Sequence, residues 1–342
     1  MSRFHLNYEA IIRYARCGFT PIEVVRYNLD KKGDIGLFLG ERDRLLLQEV
    51  TRSEVDEIIH DKLAFHCALS PVSDLVCQYH GLILGGYFVA RRPNRDSATG
   101  ERPLESLLEE RALVVKPIKG AMKRDVLIVE RRADGALTVN GSVVDATTTE
   151  VMKAHASSLV TDYAVQGSYA REITPWWSGP IRMLTIRTAD RSSVAISASH
   201  QFSTLATTAS PGREEGSLRA GVDIESGELG KAFRIGDDGR LESMTHHPDT
   251  SARIRGIVVP DWVSLRRRLE AAHSAIPKVE SLSWDVVVTD DGPRVLEAER
   301  ALSPRVYQWH QPLLANPDFA AFAARHGVAG GRKRKVRLSE RS

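Results

Sequence analysis

Three carboxylates fall within one stretch of alternating residues. "SLSWDVVVTDDGPRVLEAER", Ser281 to Arg300, contains Asp285, Glu297 and Glu299. It reads as two strands about a tight turn. A three-residue loop, Asp290-Asp291-Gly292, ends on a glycine in the left-handed position that such loops favour. With that loop Thr289 faces Pro293, Val287 faces Val295 and Asp285 faces Glu297. Strand side chains alternate, so Glu299 follows on the face of Glu297. Trp284, Val286, Val288, Leu296 and Ala298 take the other face. Both faces are partly apolar, which predicts a hairpin covered on both sides. Opposed carboxylates have Cβ atoms roughly 5 Å apart and repel each other. Hard oxygens on two adjacent strands suit Mg²⁺, which takes one or two carboxylates and completes its shell with water and phosphate. Two readings stand at this point: a cation site, or a polar strand end open to solvent. A two-residue loop, Asp291-Gly292, would turn Asp285 to the opposite face and weaken the first.

Cationic residues gather in "LVVKPIKGAMKRDV" (Leu113–Val126). A strand delivers Lys116 to its end, Pro117 stops the ladder, and Lys119, Gly120, Ala121 and Lys123 occupy a short loop. Backbone amides of a small-residue loop beside a lysine can cradle phosphates. With one glycine and no P-loop spacing, a basic surface hairpin is the favoured local reading. "LVTDYAVQG" offers backbone groups at Thr161–Ala164 to an adenine and the Asp162 carboxylate to a ribose hydroxyl; an ordinary edge strand is the favoured local reading. "GPIRMLTIR" puts Arg182 on one strand face with Leu184 and Ile186, and Arg187 on the other. An arginine among apolar residues needs an anionic partner, either a structural carboxylate or a phosphate. His246 and His247 precede a proline and read as loop residues. The eleven histidines form no HExxH pattern, and there is no GxSxG or GxGxxG motif.

The elements that must carry these residues follow from periodicity. "SEVDEIIHDKLAFHCAL" opens with Ser53 as a helix cap and spaces Val55, Ile58, Ile59, Leu63 and Phe65 helically, leaving Lys62 near one edge. Gly81–Ala90 reads as a short strand and Arg91–Pro103 as a loop. A short helix, strands at 112–116 and 126–130, and a turn at Ala133-Asp134-Gly135 come next. A helix near Thr148–Ser157 precedes two β-rich runs between Ile181 and Phe202. "GVDIESGELGKAF" reads as a hairpin, and Leu265–Ile276 as a helix feeding the carboxylate hairpin. Strands and helices intermingle in an α+β manner.

The totals bound the rest. A chain of 342 residues can bury a sizeable core in one large domain or two to three modest ones. The net charge of +3 is small, and part of it lies in "GGRKRKVRLSERS", which reads as a solubilising tail rather than a nucleic-acid arm. No window is apolar enough to span a bilayer, and the N-terminus reads as an amphipathic helix rather than a signal peptide. Cys17, Cys67 and Cys77 form neither a metal spacing nor a disulfide framework, so a reducing cytoplasm is expected.

Taken in order, these stretches resemble the ATP-grasp superfamily, most closely its sugar-transfer-associated branch, which is related to α-L-glutamate ligases. The resemblance runs from about Asp61 to Leu314. It is carried by "DKLAF", "LVVKPIKGAMKRDV", "LVTDYAVQGSYAREITP", "IRMLTIR", "GVDIESGELG", "HHPDTSARIRGIVVPDW" and "LSWDVVVTDDGPRVLEAE". It implies two α+β subdomains clasping ATP, behind a helical N-terminal region. The expected divisions are 1–105 mainly helical, 106–165 a lid subdomain, 166–325 a catalytic subdomain and 326–342 a basic tail.

The resemblance also implies roles. Lys116, with Lys62 as a second candidate, would contact ATP phosphates; Lys119, Gly120 and Lys123 would form the phosphate loop. Thr161, Asp162, Tyr163 and Ala164 would lie at the adenine hinge. Asp285, Glu297 and Glu299 would ligate Mg²⁺, and Arg182 would meet the γ-phosphate or an acyl-phosphate. The implied activity is ATP-dependent ligation of a carboxylate, such as an amino acid or peptide, to an amine, with phosphoryl transfer to a hydroxyl, or nucleotide binding at a degenerate catalytic site, as the alternatives. Its setting would be specialised-metabolite or cell-surface polysaccharide biosynthesis, and a homo-oligomer is compatible with it. Departures from the family pattern concentrate on the substrate side. Glu299 stands for a usual asparagine, Gln201 for a frequent arginine, and Ser178-Gly179-Pro180 for an asparagine-threonine pair. Lys123-Arg124-Asp125 fills a loop that is usually richer in glycine.

Overall fold

The computed structural model describes residues 8–31, 35–70, 73–91, 104–120, 126–145, 147, 150–151, 157–176, 178–208, 216–300 and 302–328. The chain divides into two compact units. The larger comprises Met1–Asp56, Gln166–Pro293 and Glu297–Ser342; the smaller comprises Glu57–Val165 and Arg294–Leu296.

The smaller unit is built on strands β1 (Tyr79–Leu84), β2 (Tyr87–Ala90), β3 (Leu113–Pro117), β4 (Leu127–Arg131), β5 (Leu137–Val139), β6 (Ser142–Val143) and β7 (Ser157–Asp162), ordered β2-β1-β7-β3-β4-β5-β6. Its ladders are antiparallel. The run expected as one strand from Gly81 to Ala90 is a hairpin instead. Gly85 and Gly86 both adopt positive φ, the backbone that a tight two-residue turn requires. One sheet face buries Ile83, Val115, Val129 and Val160 against Leu104, Leu107 and Leu108 of the helix Leu104–Glu110. Alternation turns Lys116 to the opposite face from Val115.

The long helix expected from Ser53 onward breaks at Asp61. That residue takes an extended backbone, and its carboxylate accepts from the Ala64 N–H, capping a new helix, Lys62–Leu69. An aspartate that can satisfy an orphan amide stops one helix and starts another.

The larger unit is built on strands β8 (Ser178–Arg187), β9 (Ser193–Phe202), β10 (Leu218–Val222), β11 (Leu229–Ile235), β12 (Leu241–Met244), β13 (Ser281–Thr289) and β14 (Gly292–Glu299), ordered β12-β11-β10-β9-β8-β13-β14. Asp290 and Asp291 separate β13 from β14, and Gly292 has φ +98°, the left-handed backbone expected of it. β13 is buried from Ser281 to Val288. The helix Trp262–Ala275 serves this sheet. Trp284 Nε1 donates to Thr185 Oγ1 at 2.8 Å, Thr185 donates to His273 Nδ1 at 2.8 Å, and His273 Nε2 donates to the Val279 carbonyl at 3.1 Å. The chain of bonds fixes a neutral His273. Burial pushes its pKa down to about 4. Arg187 donates to the carbonyls of His273, Ser274, Ile276 and Val279, so a helix C-terminus, rather than a carboxylate, satisfies it.

The N-terminal helices pack on the same unit. Leu39 and Leu47 join Leu184, Ile196, Val306, Tyr307 and Phe319 in one cluster. Tyr14, Val24, Tyr27 and Phe38 join Trp309 in another. Among the described residues no helix is long and apolar enough to cross a membrane.

Candidate functional site

The register of β8 on β13 sets Asp285 directly opposite Arg182. The guanidinium grips the carboxylate with two prongs: Nε donates to Oδ1 at 2.7 Å and Nη2 to Oδ2 at 2.5 Å. The third nitrogen, Nη1, donates to Glu299 Oε2 at 3.3 Å. The Asp285 side chain is 5% exposed, Arg182 16% and Glu299 37%, so the pair is sheltered on one side and open at Glu299. Burial works against a charged Arg182, but the charge and hydrogen bonds of Asp285 outweigh it and hold the guanidinium pKa above its usual value. Beside this pair the buried Tyr307 hydroxyl donates to Ser283 Oγ at 3.1 Å.

The row continues across the sheet. Arg182 pairs with Ser199 on β9, and Ser199 with Gly221 on β10. Two residues along β9, Gln201 is buried and accepts from Arg219, its direct partner on β10, at 3.2 Å. A Cβ at Gly179 would lie 2.8 Å from the Gln201 side chain. The glycine is what lets that carboxamide lie across β8.

The donor set expected for Mg²⁺ has the right chemistry: Asp285, Glu297 and Glu299 are hard oxygen ligands on one hairpin. Asp285 and Glu299 already share one positive charge, that of Arg182. Glu297, half-buried, lies two residues before Glu299 on β14. The cation that lies between Asp285 and Glu299 is the Arg182 guanidinium. Among the described residues no three His, Cys, Asp or Glu side chains are drawn together as a ready metal set.

In the smaller unit, Lys116 reaches from the end of β3 and donates from Nζ to the Leu296 carbonyl at 2.9 Å. Lys62, the first residue of its helix, donates from its backbone N–H to the Ile118 carbonyl at 3.0 Å and from Nζ to the Gly120 carbonyl at 2.6 Å. Lys62 is thus tied to the loop after β3, and Lys116 to the backbone of β14. Lys119 is exposed, and its approach to Glu57 at 3.9 Å contributes little. Lys123 lies outside the described residues, with Ala121, Arg124 and Asp125.

At the far end of the same sheet, Thr161 is buried and the Tyr163 N–H donates to the Ala112 carbonyl at 3.1 Å. The strand ends at Asp162, and the following residues Tyr163 and Ala164 are half-buried. Asp162 has partners that local reading missed. His80 Nε2 lies 2.7 Å from Oδ1, and Arg111 Nη1 donates to the same oxygen at 3.4 Å. Burial would raise the Asp162 pKa; the His80 hydrogen bond and charge, aided by Arg111, bring it below the usual range. His80 also lines a cavity of about 300 Å³ with Tyr79, Phe88 and Arg91.

His247 is a loop residue as expected. It is buried, its Nε2 donates to the Ser203 carbonyl at 2.8 Å, and its Nδ1 accepts from the Asp249 N–H at 3.3 Å.

A profile of the family described as sugar-transfer associated ATP-grasp matches residues 42–308, most of the chain. The chain belongs to that family. No curated protein matches it. Among solved structures it is similar to an L-amino acid ligase from Bacillus licheniformis, at 12% identity and TM-score 0.39, covering 73% of this chain and 42% of that one. A biotin carboxylase complex from Campylobacter jejuni is similar at 8% identity and TM-score 0.45, covering 78% and 46%. A RimK domain ATP-grasp protein from Sphaerobacter thermophilus is similar at 11% identity and TM-score 0.40, covering 79% and 68%. The chain thus spans less than half the length of the first two.

Proposed function

We propose that the chain is an ATP-dependent ligase that joins a small carboxylate, such as an amino acid or peptide, to an amine through an acyl-phosphate, and that it works in the cytoplasm. The observation that carries this reading is Arg182, a guanidinium fixed on a strand by Asp285 with Glu299 beside it. Phosphoryl transfer asks little covalent chemistry of the protein and depends on positioned charge. A planar, permanently charged group suits phosphate and acyl-phosphate oxygens.

On this reading Lys116 and Lys62 contact ATP phosphates, with Lys119, Gly120 and Lys123 as the phosphate loop. Backbone groups at Thr161–Ala164 take the adenine, and Asp162 a ribose hydroxyl. Asp285, Glu297 and Glu299 would hold Mg²⁺, whose chemistry when bound is to neutralise phosphate charge as it develops. Arg182 steadies the transferred group while the substrate carboxylate attacks, and the amine then displaces phosphate from the acyl carbon.

The test is incubation with ATP, Mg²⁺, hydroxylamine and a panel of amino acids. Hydroxamate formed in step with ADP is the expected result, since hydroxylamine intercepts an acyl-phosphate. ADP without hydroxamate points to transfer onto a hydroxyl. No ADP with any acceptor leaves a nucleotide-binding protein without this activity.

A further inference from the structure

We infer that Arg182 is the resident occupant of the divalent-cation site, and that metal and guanidinium exchange at Asp285. The inference rests on the proposed metal-ATP reading of the hairpin and concerns how that site is controlled.

The geometry makes the two cations exclusive. Arg182 engages both oxygens of Asp285, at 2.7 and 2.5 Å. A divalent ion bound at about 2.0–2.1 Å from a carboxylate oxygen would compete for the lone pairs that face the guanidinium, which leaves only those on the outer side of each oxygen. It would also stand within a few ångströms of the guanidinium, where like charges repel strongly in sheltered surroundings. Asp285 is 5% exposed, so water does little to screen the clash. One of the two must leave.

Leaving is feasible for Arg182. Its contact with Glu299 is longer, at 3.3 Å, and that carboxylate is 37% exposed, so the open side of the cluster lies there. An aspartate buried opposite an arginine also needs a permanent counter-charge, because a buried unpaired carboxylate is costly. Arg182 supplies that charge while metal is absent. When a divalent ion takes over Asp285 and Glu299, the same event releases the guanidinium. The residue proposed to meet the transferred phosphoryl group is then delivered only to a metal-loaded site. An asparagine at 299 would hold Arg182 less firmly, since a neutral amide lacks the charge; the glutamate makes this version of the exchange tighter.

The exchange predicts an effect of unusual sign: deleting a conspicuous polar side chain should improve metal binding. The measurement is titration with Mn²⁺ alone, followed by the electron paramagnetic resonance signal of free Mn²⁺. Arg182→Met is expected to bind Mn²⁺ at least about tenfold more tightly than the wild type, as removal of a charge-assisted competitor should. Arg182→Lys keeps a cation but loses the two-pronged grip, and should fall between the two. It also serves if the methionine variant fails to fold. Equal or weaker Mn²⁺ binding in the folded variants, with binding still lost in Glu297→Gln, overturns the exchange and leaves the metal reading intact. Mn²⁺ binding that neither Glu297→Gln nor Glu299→Gln alters in the Arg182 variants overturns both.

Discussion

Lys62 donates from Nζ to the Gly120 carbonyl at 2.6 Å. Its own N–H is held by the Ile118 carbonyl, so one residue at a helix start fastens the loop after β3 at two points. The loop is held in place by the chain itself.

Lys62→Met should therefore loosen residues 118–120. The lost bond is partly exposed, so amide exchange there should quicken by about fivefold, the equivalent of roughly 1 kcal/mol. Hydrogen exchange read by mass spectrometry checks this. ATP affinity should fall in parallel; unchanged affinity with faster exchange would make Lys62 purely a fastener.

Lys116→Ala should weaken ATP binding by about tenfold or more, with the fold intact. In its resting contact Lys116 donates to a neutral carbonyl, Leu296 O, at 2.9 Å. A phosphate oxygen is the stronger acceptor for an ammonium group. Isothermal titration with ATP is the measurement, and an unaltered affinity would move the phosphates elsewhere.

The Asp162 pKa is lowered in the folded chain, burial opposing and His80 with Arg111 prevailing. A depressed acid contributes stability above its unfolded pKa, about 3.9, and loses it as pH falls through the lower folded value. Asp162→Asn should thus lower the melting temperature at pH 7 by the equivalent of roughly 0.5–1 kcal/mol, modest because the side chain is partly open to solvent. Melting curves of both proteins should converge as pH falls below about 4. A gap that persists in acid would assign the effect to packing.

Burial lowers the His200 pKa to about 3 and that of His273 to about 4. In the unfolded chain both take up a proton near pH 6.5. Their stability contribution is full above that pH and drains as pH falls toward the folded values, at up to about 1.4 kcal/mol per pH unit for each proton. His200 stacks on Phe202 with centroids 4.2 Å apart and meets the Tyr169 hydroxyl at 2.9 Å. His200→Phe should keep the stack and flatten the acid slope of melting temperature between pH 6.5 and 4. An unchanged slope would place the proton uptake on other groups.

Local chemistry made much of the frame legible. The hairpin around Asp290 and Asp291 was visible because alternation and a glycine at the turn agreed, and Gly292 adopts the backbone that its position demanded. The β8 and β9 runs were visible as stretches rich in branched and apolar residues. The helix break at Asp61 was hidden, because an aspartate inside a helical apolar pattern is ordinary until its carboxylate captures the Ala64 N–H. The Gly85-Gly86 turn was hidden because apolar residues on both sides merged into one run. What the site lacked in sequence was register. Arg182 and Asp285 are 103 residues apart, and no local rule says that β8 and β13 align them. The same holds for His80 and Asp162, 82 residues apart. Local reading could state that Arg182 needs an anion; which anion is a property of the assembled sheet.

The way the larger unit closes bears on how the chain is made. Leu39 exchanges two hydrogen bonds with the Gln308 side chain, at 2.8 and 2.9 Å, and Trp309 completes the cluster around Tyr14, Tyr27 and Phe38. During synthesis the first helices can pack on one another early, but their cluster gains Phe233, Ile235 and Leu241 only later, and Trp309 last of all. The smaller unit, nearly all of it one inserted stretch, Glu57–Val165, is finished well before that moment. At the usual rate of about 5–20 residues per second, the wait is on the order of tens of seconds. Through that interval the early cluster lacks its last aromatic residue. Fusing residues 302–328 ahead of the N-terminus by circular permutation should shorten the interval and raise the soluble yield.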